Sequence, residues 1–348
     1  MHLDMDAFFV NVYLLDHPEN RGKPLAIGGR PDQRGVVSSA SYEARQFGVR
    51  SAMPMGRALR LCPQLIIGST NWELIRAKSR EVMAVLKQFG AVEQMSVDEA
   101  YVDLSERINP KIVATQIRRR VKSQTGLPCS VGLATSKLVA KVASDFDKPE
   151  GFTIVEPGTE VAFLAPLPTR ALMGIGPRTA ERLAEIGIET CGDLSTFDTD
   201  QLRLSFGKQA ESLQRRANGI DRREVQSERG QAKSISQERT FNTDIDDPVF
   251  LHDKLESMCP AVAASLQKRK LVAHTVSLKF RWADFTTFTR QKSVEVGVDS
   301  AESLTRIAHA IFAENWHGEK LRLLGVGVSN LVPARWRQLT FTFQDLGT

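Results

Sequence analysis

His2-Leu3-Asp4-Met5-Asp6-Ala7-Phe8-Phe9-Val10 alternates acids with apolar residues and then turns aromatic, the pattern of a buried strand that runs into a helix and carries its acids at its end. Its counterpart is Ser96-Val97-Asp98-Glu99-Ala100-Tyr101-Val102-Asp103-Leu104. Within Val92 to Leu104, β-branched and aromatic residues alternate as in a two-stranded hairpin, with Asp98 and Glu99 at its tip. Between these stretches, Trp72 to Phe89 spaces Leu74, Ala77, Val82, Val85, Leu86 and Phe89 as an amphipathic helix that Gly90 ends. A basic helix over Ile112 to Thr125, an apolar strand over Cys129 to Leu133 and a helix over Lys137 to Ser144 follow. Strand, helix, two strands, helix, strand is a split βαββαβ plan, in which the first and middle strands lie side by side. Asp4 and Asp98 then meet.

Taken singly, Asp4, Asp98 and Glu99 read as helix caps or solvated acids. The topology changes that reading, because three carboxylates at the ends of neighbouring strands repel one another unless a cation neutralises them. A pair of Mg²⁺ ions fits: hard cations favour carboxylate and carbonyl oxygens with substrate phosphates, and two of them clamp both oxygens of a phosphoryl transfer. Ser38-Ser39-Ala40-Ser41-Tyr42-Glu43-Ala44-Arg45 offers hydroxyls and a guanidinium suited to triphosphate oxygens, and equally a solvated helix start capped by Ser41. Lys148 is an ordinary surface lysine unless a phosphate lies near it. In Leu172-Met173-Gly174-Ile175-Gly176-Pro177, followed by Arg178, the glycines let backbone N–H groups approach a DNA phosphate. A bare GxG is a weak signal whose default meaning is a plain turn between helices, but the apolar residues on both sides and the following Arg178 favour a helix-hairpin-helix.

The 348 residues, 42% hydrophobic and 25% charged, exclude collagen, low-complexity disorder and small disulfide scaffolds, and suffice for two to three domains. The apolar runs are too short to cross a membrane, and Asp4 and Asp6 stand where a signal peptide needs basic residues, so a cytoplasmic protein is expected. Cys62, Cys129, Cys191 and Cys259 are far apart without a CxxC or Cys/His cluster, which suits buried, reduced thiols. Net charge +5 hints weakly at a polyanionic partner. Basic clusters at Arg118-Arg119-Arg120, Arg215-Arg216, Arg222-Arg223 and Lys268-Arg269-Lys270 are ordinary wet faces one by one, and together suit a duplex backbone.

Pro18 to Pro63 reads as a small irregular insertion, Arg170 to Gly219 as a module of short helices, and Arg222 to Lys233 as a linker. A second α+β unit then has a strand over Phe241 to Asp247, a helix over Val249 to Lys270, an alternating strand over Thr275 to Phe288, a helix over Ser300 to Trp316 and a strand over Leu323 to Leu331.

These motifs resemble the Y-family DNA polymerases, in particular their bacterial DinB type, over nearly the whole chain. The resemblance is carried by His2 to Phe9, Ser38 to Pro54, Ser96 to Asp103, Ser130 to Pro149, Gly174-Ile175-Gly176 and Lys233 to Thr240. It implies an α+β multidomain fold, a right hand with a ferredoxin-like palm (1–10 and 71–158), small fingers (11–70), an all-α helix-hairpin-helix thumb (159–226), a linker (227–234), an α+β little finger (235–337) and a tail (338–348). Asp4, Asp98 and Glu99 become catalytic metal ligands with the Met5 carbonyl, two Mg²⁺ ions the cofactor, and Asp6 a structural acid. Ser39, Tyr42, Arg45 and Lys148 hold the incoming deoxynucleoside triphosphate, and Phe9 is the steric gate against a 2′-hydroxyl. Gly174, Gly176 and Arg178 contact primer-template DNA. Gln338, Leu339, Phe341 and Phe343 resemble the peptide that docks on the replication sliding clamp, with a final edge strand as the alternative.

The implied activity is DNA-directed DNA polymerisation, a nucleotidyl transfer to a primer 3′-hydroxyl. Fidelity is expected to be low and proofreading absent, for translesion synthesis by a monomer. Small fingers press little on the nascent base pair. Two features depart from the family pattern: only three residues precede Asp4, and Tyr13 stands where Glu is common. The competing readings are a non-catalytic DNA-binding accessory protein, which gains nothing from acids beside phosphate, and a nucleotidyl cyclase, which has no use for the hairpin and basic clusters.

Overall fold

The structure, a computed structural model, describes residues 1–228 and 230–334. Two compact units result: one of Met1–Gly29 with the chain from Gly35 through the helical region, the other of Gly230 onward together with Arg30–Arg34.

The first unit opens with β1 (His2–Met5) and α1 (Phe8–Asp16). Next come β2 (Leu25–Gly28), β3 (Val37–Ala40), α2 (Tyr42–Gln46), α3 (Met55–Leu61) and β4 (Ile66–Gly68). Then follow α4 (Trp72–Leu86), β5 (Val92–Gln94), β6 (Glu99–Val102), α5 (Pro110–Thr125), β7 (Cys129–Leu133), α6 (Lys137–Phe146) and β8 (Phe152–Ile154). Five strands form one sheet in the order β5-β6-β1-β7-β8. The split plan is therefore realised, with β1 antiparallel to both β6 and β7. β8, which adds to β7 in parallel, had no counterpart in the sequence reading.

Local chemistry sets the flanking helices. Asn109 caps α5 by accepting from Ile112 N at 3.3 Å, Pro110 occupies its first turn, and Gly126 at φ 73° ends it. Ser136 caps α6. Leu3, Phe8, Val82, Leu86, Val102, Ile117 and Val131 share one core between sheet and helices, each fully buried side chain adding roughly 1.5–3 kcal/mol. At Gly132 an added Cβ would lie 2.0 Å from the Ala140 carbonyl oxygen, so α6 rests directly on the β7 backbone.

The insertion expected to be irregular contains a sheet of its own, β3-β2-β4, around Ala26, Val37, Met55, Ala58 and Cys62. Its strands are three or four residues long, too short for a clear period. In the helical region, α7 (Glu160–Leu164) stands ahead of the expected start at Arg170, and α8 (Pro177–Ala184), α9 (Cys191–Thr196), α10 (Thr199–Phe206) and α11 (Ala210–Ala217) follow as the glycine punctuation implied. The expected linker begins later than Arg222. Asp221 accepts from Leu138 N at 3.1 Å, Gln226 N donates to Glu93 at 2.7 Å, and Glu93 pairs at 2.5 Å with Lys137, whose ammonium also lies over the Tyr101 ring.

The second unit contains β9 (Ser234–Ile245), α12 (Pro248–Lys268), β10 (Leu271–Trp282), β11 (Thr287–Val298), α13 (Ala301–Asn315) and β12 (Leu321–Pro333). Its sheet is antiparallel in the order β11-β10-β12-β9, with Leu255, Val262, Phe280, Ile311, Phe312 and Val326 in the core beneath. The single strand expected over Thr275 to Phe288 is in fact two. Phe285 at φ 69° turns the chain, and Asp284 accepts from Thr286 N at 2.8 Å, closing a hairpin. β9 begins at Ser234, before the expected Phe241, because its first residues lie along an exposed sheet edge and carry no apolar signal. All four cysteines are buried free thiols. Among the described residues, no helix is long and apolar enough to cross a membrane.

Candidate active site

β1 brings the acids together. Its register sets Asp4 opposite Glu99 on β6 and opposite Ser130 on β7. Asp98 sits on the turn before β6, and its carbonyl accepts from Met5 N at 2.9 Å, so the end of β1 holds the tip of the hairpin. Ser96 fixes that tip: its Oγ accepts from the N–H groups of Asp98 (3.2 Å) and Glu99 (3.1 Å) and donates to the Asp98 carboxylate. Burial, the Ser96 contact notwithstanding, pushes the Asp98 carboxyl up, and Asp4 and Glu99 push it further.

Two lysines neutralise the cluster. Lys141 Nζ lies 2.8 Å from Asp4 Oδ2, 2.8 Å from Glu99 Oε2 and 3.3 Å from Asp145 Oδ2. Lys148 Nζ lies 2.7 Å from Asp4 Oδ1 and 2.7 Å from Asp145 Oδ1. Burial alone would lower the Lys141 pKa, yet Asp4 and Asp145 raise it. On the other side of Glu99 stands His2, fully buried, with Nε2 3.5 Å from Glu99 Oε2 and Nδ1 2.8 Å from Ser144 Oγ. The His2 ring and the Lys141 ammonium hold the Glu99 carboxyl down to about 2.

Asp6 points elsewhere and is spent on the fold. Its Oδ1 accepts from Ser130 Oγ at 2.8 Å and from Tyr42 at 3.4 Å, and its Oδ2 accepts from Glu150 N at 2.8 Å. Tyr42 lies near enough to Asp6 and Asp4 that burial and both charges raise its phenol pKa. Arg45 stacks on the Tyr42 ring at 4.4 Å and donates from Nε to the Ala40 carbonyl at 3.0 Å. Ser39 is buried on β3. Ser41 is the cap of α2 and also accepts from Leu25 N, and it is buried, so the expected cap is present in a setting that is not solvated. Phe9, half-buried on the first turn of α1, meets Trp72 edge-on at 5.4 Å.

The structure therefore gathers Asp4, Met5, Asp98, Glu99, Tyr42 and Lys148 in one place, with Arg45 stacked on Tyr42. Gly174, Gly176 and Arg178 lie apart from it, in the helical region. Gly174 has φ 90°, Gly176 precedes α8, and Arg216 Nη1 donates to the Met173 carbonyl at 3.1 Å. A cavity of about 580 Å³ beside this turn is lined by Met173, Gly174, Arg215, Arg216, Asp221, Arg222 and Arg223, a recess of net positive charge. Gln338, Leu339, Phe341 and Phe343 lie outside the described residues.

Lys141, Asp145, Ser96, His2 and Trp72 escaped the sequence reading. The first two carried a signal, since Lys141, Asp145 and Lys148 follow one another at the helical spacings of four and three, although α6 ends at Phe146 and Lys148 lies just beyond it. Among the described residues, no group of three or more His, Cys, Asp or Glu side chains is placed to hold a metal ion. The donors nonetheless fit a hard divalent cation: Asp4 and Glu99 offer oxygens only, and a cation, the Lys141 ammonium, already stands between them.

The architecture is that of a Y-family DNA polymerase. A Y-family chimera built from Dbh and Dpo4 superposes with a TM-score of 0.84 at 24% identity, covering 95% of this chain and 98% of that one. DinB from Sulfolobus solfataricus gives a TM-score of 0.65 at 24% identity over the same shares. The impB/mucB/samB family model matches residues 3–145, its C-terminal domain model 232–341, and the DNA polymerase-iota thumb domain model 170–221. DNA polymerase IV of Halorhodospira halophila is 41% identical over 98% of this chain and 98% of its own length. That of Methanoculleus marisnigri is 40% identical over 97% and 96%. The chain belongs to the Y-family DNA polymerases of DinB type, the DNA polymerase IV group. It is a template-directed, low-fidelity translesion DNA polymerase.

Proposed function

We propose that this chain joins a deoxynucleotide to a primer 3′-hydroxyl at Asp4, Asp98 and Glu99, which hold two Mg²⁺ ions together with the Met5 carbonyl. When bound there, the ions supply Lewis-acid charge to the attacking and leaving oxygens. The reading is carried by one observation: Asp4 faces Glu99 across β1 and β6, with a shared ammonium between their oxygens.

The chain's own residues bind and orient. Ser96 keeps the Asp98 carboxylate at the tip of its turn. Lys148, already beside Asp4, donates to triphosphate oxygens, as do Tyr42, Ser39 and the guanidinium of Arg45, which its stack on Tyr42 preorders. Phe9, braced by Trp72, overlaps a 2′-hydroxyl and so selects deoxyribose. Gly174, Gly176 and Arg178 anchor the backbone of primer-template DNA without reading its bases. On this reading the palm is 1–10 and 71–158, the fingers 11–70, the thumb 159–226 and the little finger 235–337, and the tail from Gln338 docks on a sliding clamp.

Asp98→Ala is expected to lower single-nucleotide extension by about 10³-fold or more. Primer-template affinity, measured by fluorescence anisotropy, should stay within about twofold, because the acid repels phosphate instead of holding it. Extension at the wild-type rate would overturn the assignment.

A further inference from the structure

Asp145 lies on the last turn of α6, four residues after Lys141 and three before Lys148, and it divides its oxygens between them. Its Oδ2 is 3.3 Å from the Lys141 ammonium and its Oδ1 is 2.7 Å from that of Lys148. Asp4 repeats the division from the opposite side, with Oδ2 on Lys141 at 2.8 Å and Oδ1 on Lys148 at 2.7 Å. Two carboxylates and two ammoniums thus alternate around a closed ring. Half of that ring, Asp4, belongs to the acids assigned above to the metal ions. The other half does not.

We propose that Asp145 is a positioning residue for the nucleotide: it holds the ammonium tips of Lys141 and Lys148 at the edge of the acids, so that Lys148 meets the triphosphate already ordered. The inference rests on the reading of Lys148 as a triphosphate ligand. A cation that engages the oxygens of Asp4 draws them away from both lysines, and only Asp145 then keeps the two like charges together. Lysine is a long, flexible donor, and ordering it during folding removes a cost that nucleotide binding would otherwise bear. Asp145 suits the task because it is 49% exposed and because both lysines it holds lie on the short stretch that carries it.

Charge alone predicts the opposite sign, which makes the proposal testable. Deleting an acid near a binding site for a tetra-anion should tighten binding if Asp145 acts only through its field. If it acts by positioning, binding weakens. The measurement is the equilibrium affinity of dGTP for the full chain on a dideoxy-terminated primer-template with templating dC, in Ca²⁺, read by fluorescence without turnover. Asp145→Asn is expected to weaken dGTP about five- to tenfold, Asp145→Glu to restore most of that loss, and KM in Mg²⁺ to rise with kcat within about twofold. In a Lys148→Ala background, Asp145→Asn should add less than twofold. Unchanged or tighter binding in Asp145→Asn overturns the proposal, as does an equal loss with and without Lys148. Lys148→Ala binding dGTP like the wild type would instead remove the reading of Lys148 itself. Melting temperatures of the Asn and Glu variants separate a folding defect from a binding one, since the Glu variant keeps the carboxylate.

Discussion

In the first unit β1, α4, β5, β6, α5 and β7, and in the second β9, α12, β10, β11, α13 and β12, follow the same order of strand, helix, strand, strand, helix, strand, and the two lay those strands down differently. In the first, the opening strand β1 lies inside the sheet between β6 and β7. In the second, the opening strand β9 takes an edge and the last strand, β12, lies inside against β10. Polarity explains the difference. β1 buries His2, Leu3 and Met5, whereas along β9 only Phe241 is fully buried. An inner strand is covered on both sides, and a strand such as Ser-Ile-Ser-Gln-Glu-Arg-Thr suits only an edge. The same order of elements therefore makes an acid-lined strand end in one unit and a mixed, polar sheet face in the other. Element order does not choose neighbours; the opening strand's side chains do.

The comparison breaks first at its ion pairs. Lys137 and Glu93 of the first unit are 8% and 17% exposed, while Lys279 and Glu238 of the second are 35% and 49% exposed. Lys137→Met leaves the half-buried Glu93 carboxylate with only the Gln226 N–H and should cost about 1–3 kcal/mol in urea unfolding. Lys279→Met should cost about 0–1 kcal/mol. Similar losses in the two would show that burial is not what separates the units.

Glycines give a second contrast. A Cβ at Gly132 meets backbone, the Ala140 carbonyl oxygen at 2.0 Å and Ser144 N at 2.4 Å, whereas one at Gly327 meets the Ser277 hydroxyl at 3.0 Å. Gly132→Ala should cost about 1–3 kcal/mol or more by forcing α6 off β7, and Gly327→Ala should stay within about 0.5 kcal/mol. Thermal unfolding of the two single variants decides it.

Acid supplies the mildest probe. Glu99 is held at about 2 in the folded chain against an ordinary value of 4.5, so its stabilising contribution is complete above 4.5 and is lost as pH falls through about 2. Between those values the wild type should lose stability more steeply than Glu99→Gln. Parallel curves of urea midpoint against pH would remove the role given to His2 and Lys141.

How much of this was legible follows from where each signal resides. The hairpin with Asp98 at its tip was readable because alternation and acids coincide in one short stretch, and its meeting with Asp4 followed from topology. β9 and β11 were read short or missed because edge strands bury one side at most, and Thr-Arg-Gln-Lys-Ser carries no period of two. The β3-β2-β4 sheet hid behind glycines and strands shorter than one full alternation. Around the acids, Lys141 and Asp145 were illegible individually, since a lysine on a helix is an ordinary solvated residue until β1 supplies its partner. His2 and Trp72 needed the fold for the same reason: Glu99 and Phe9 reach them only after the chain has closed.

The inner place of β1 also has a consequence for the chain as it is made. Its partners, Glu99–Val102 and Cys129–Leu133, emerge from the ribosome roughly 100 and 130 residues later, several seconds at about 5–20 residues per second. Through that interval Leu3, Met5 and Phe8 lack the partners that cover them in the finished sheet, so this segment is an apolar ligand for any chaperone waiting at the tunnel exit. Closing so long a loop adds little thermodynamic cost, because that cost grows only with the logarithm of its length. The delay is one of timing, set by the strand order and not by the stability of the finished sheet.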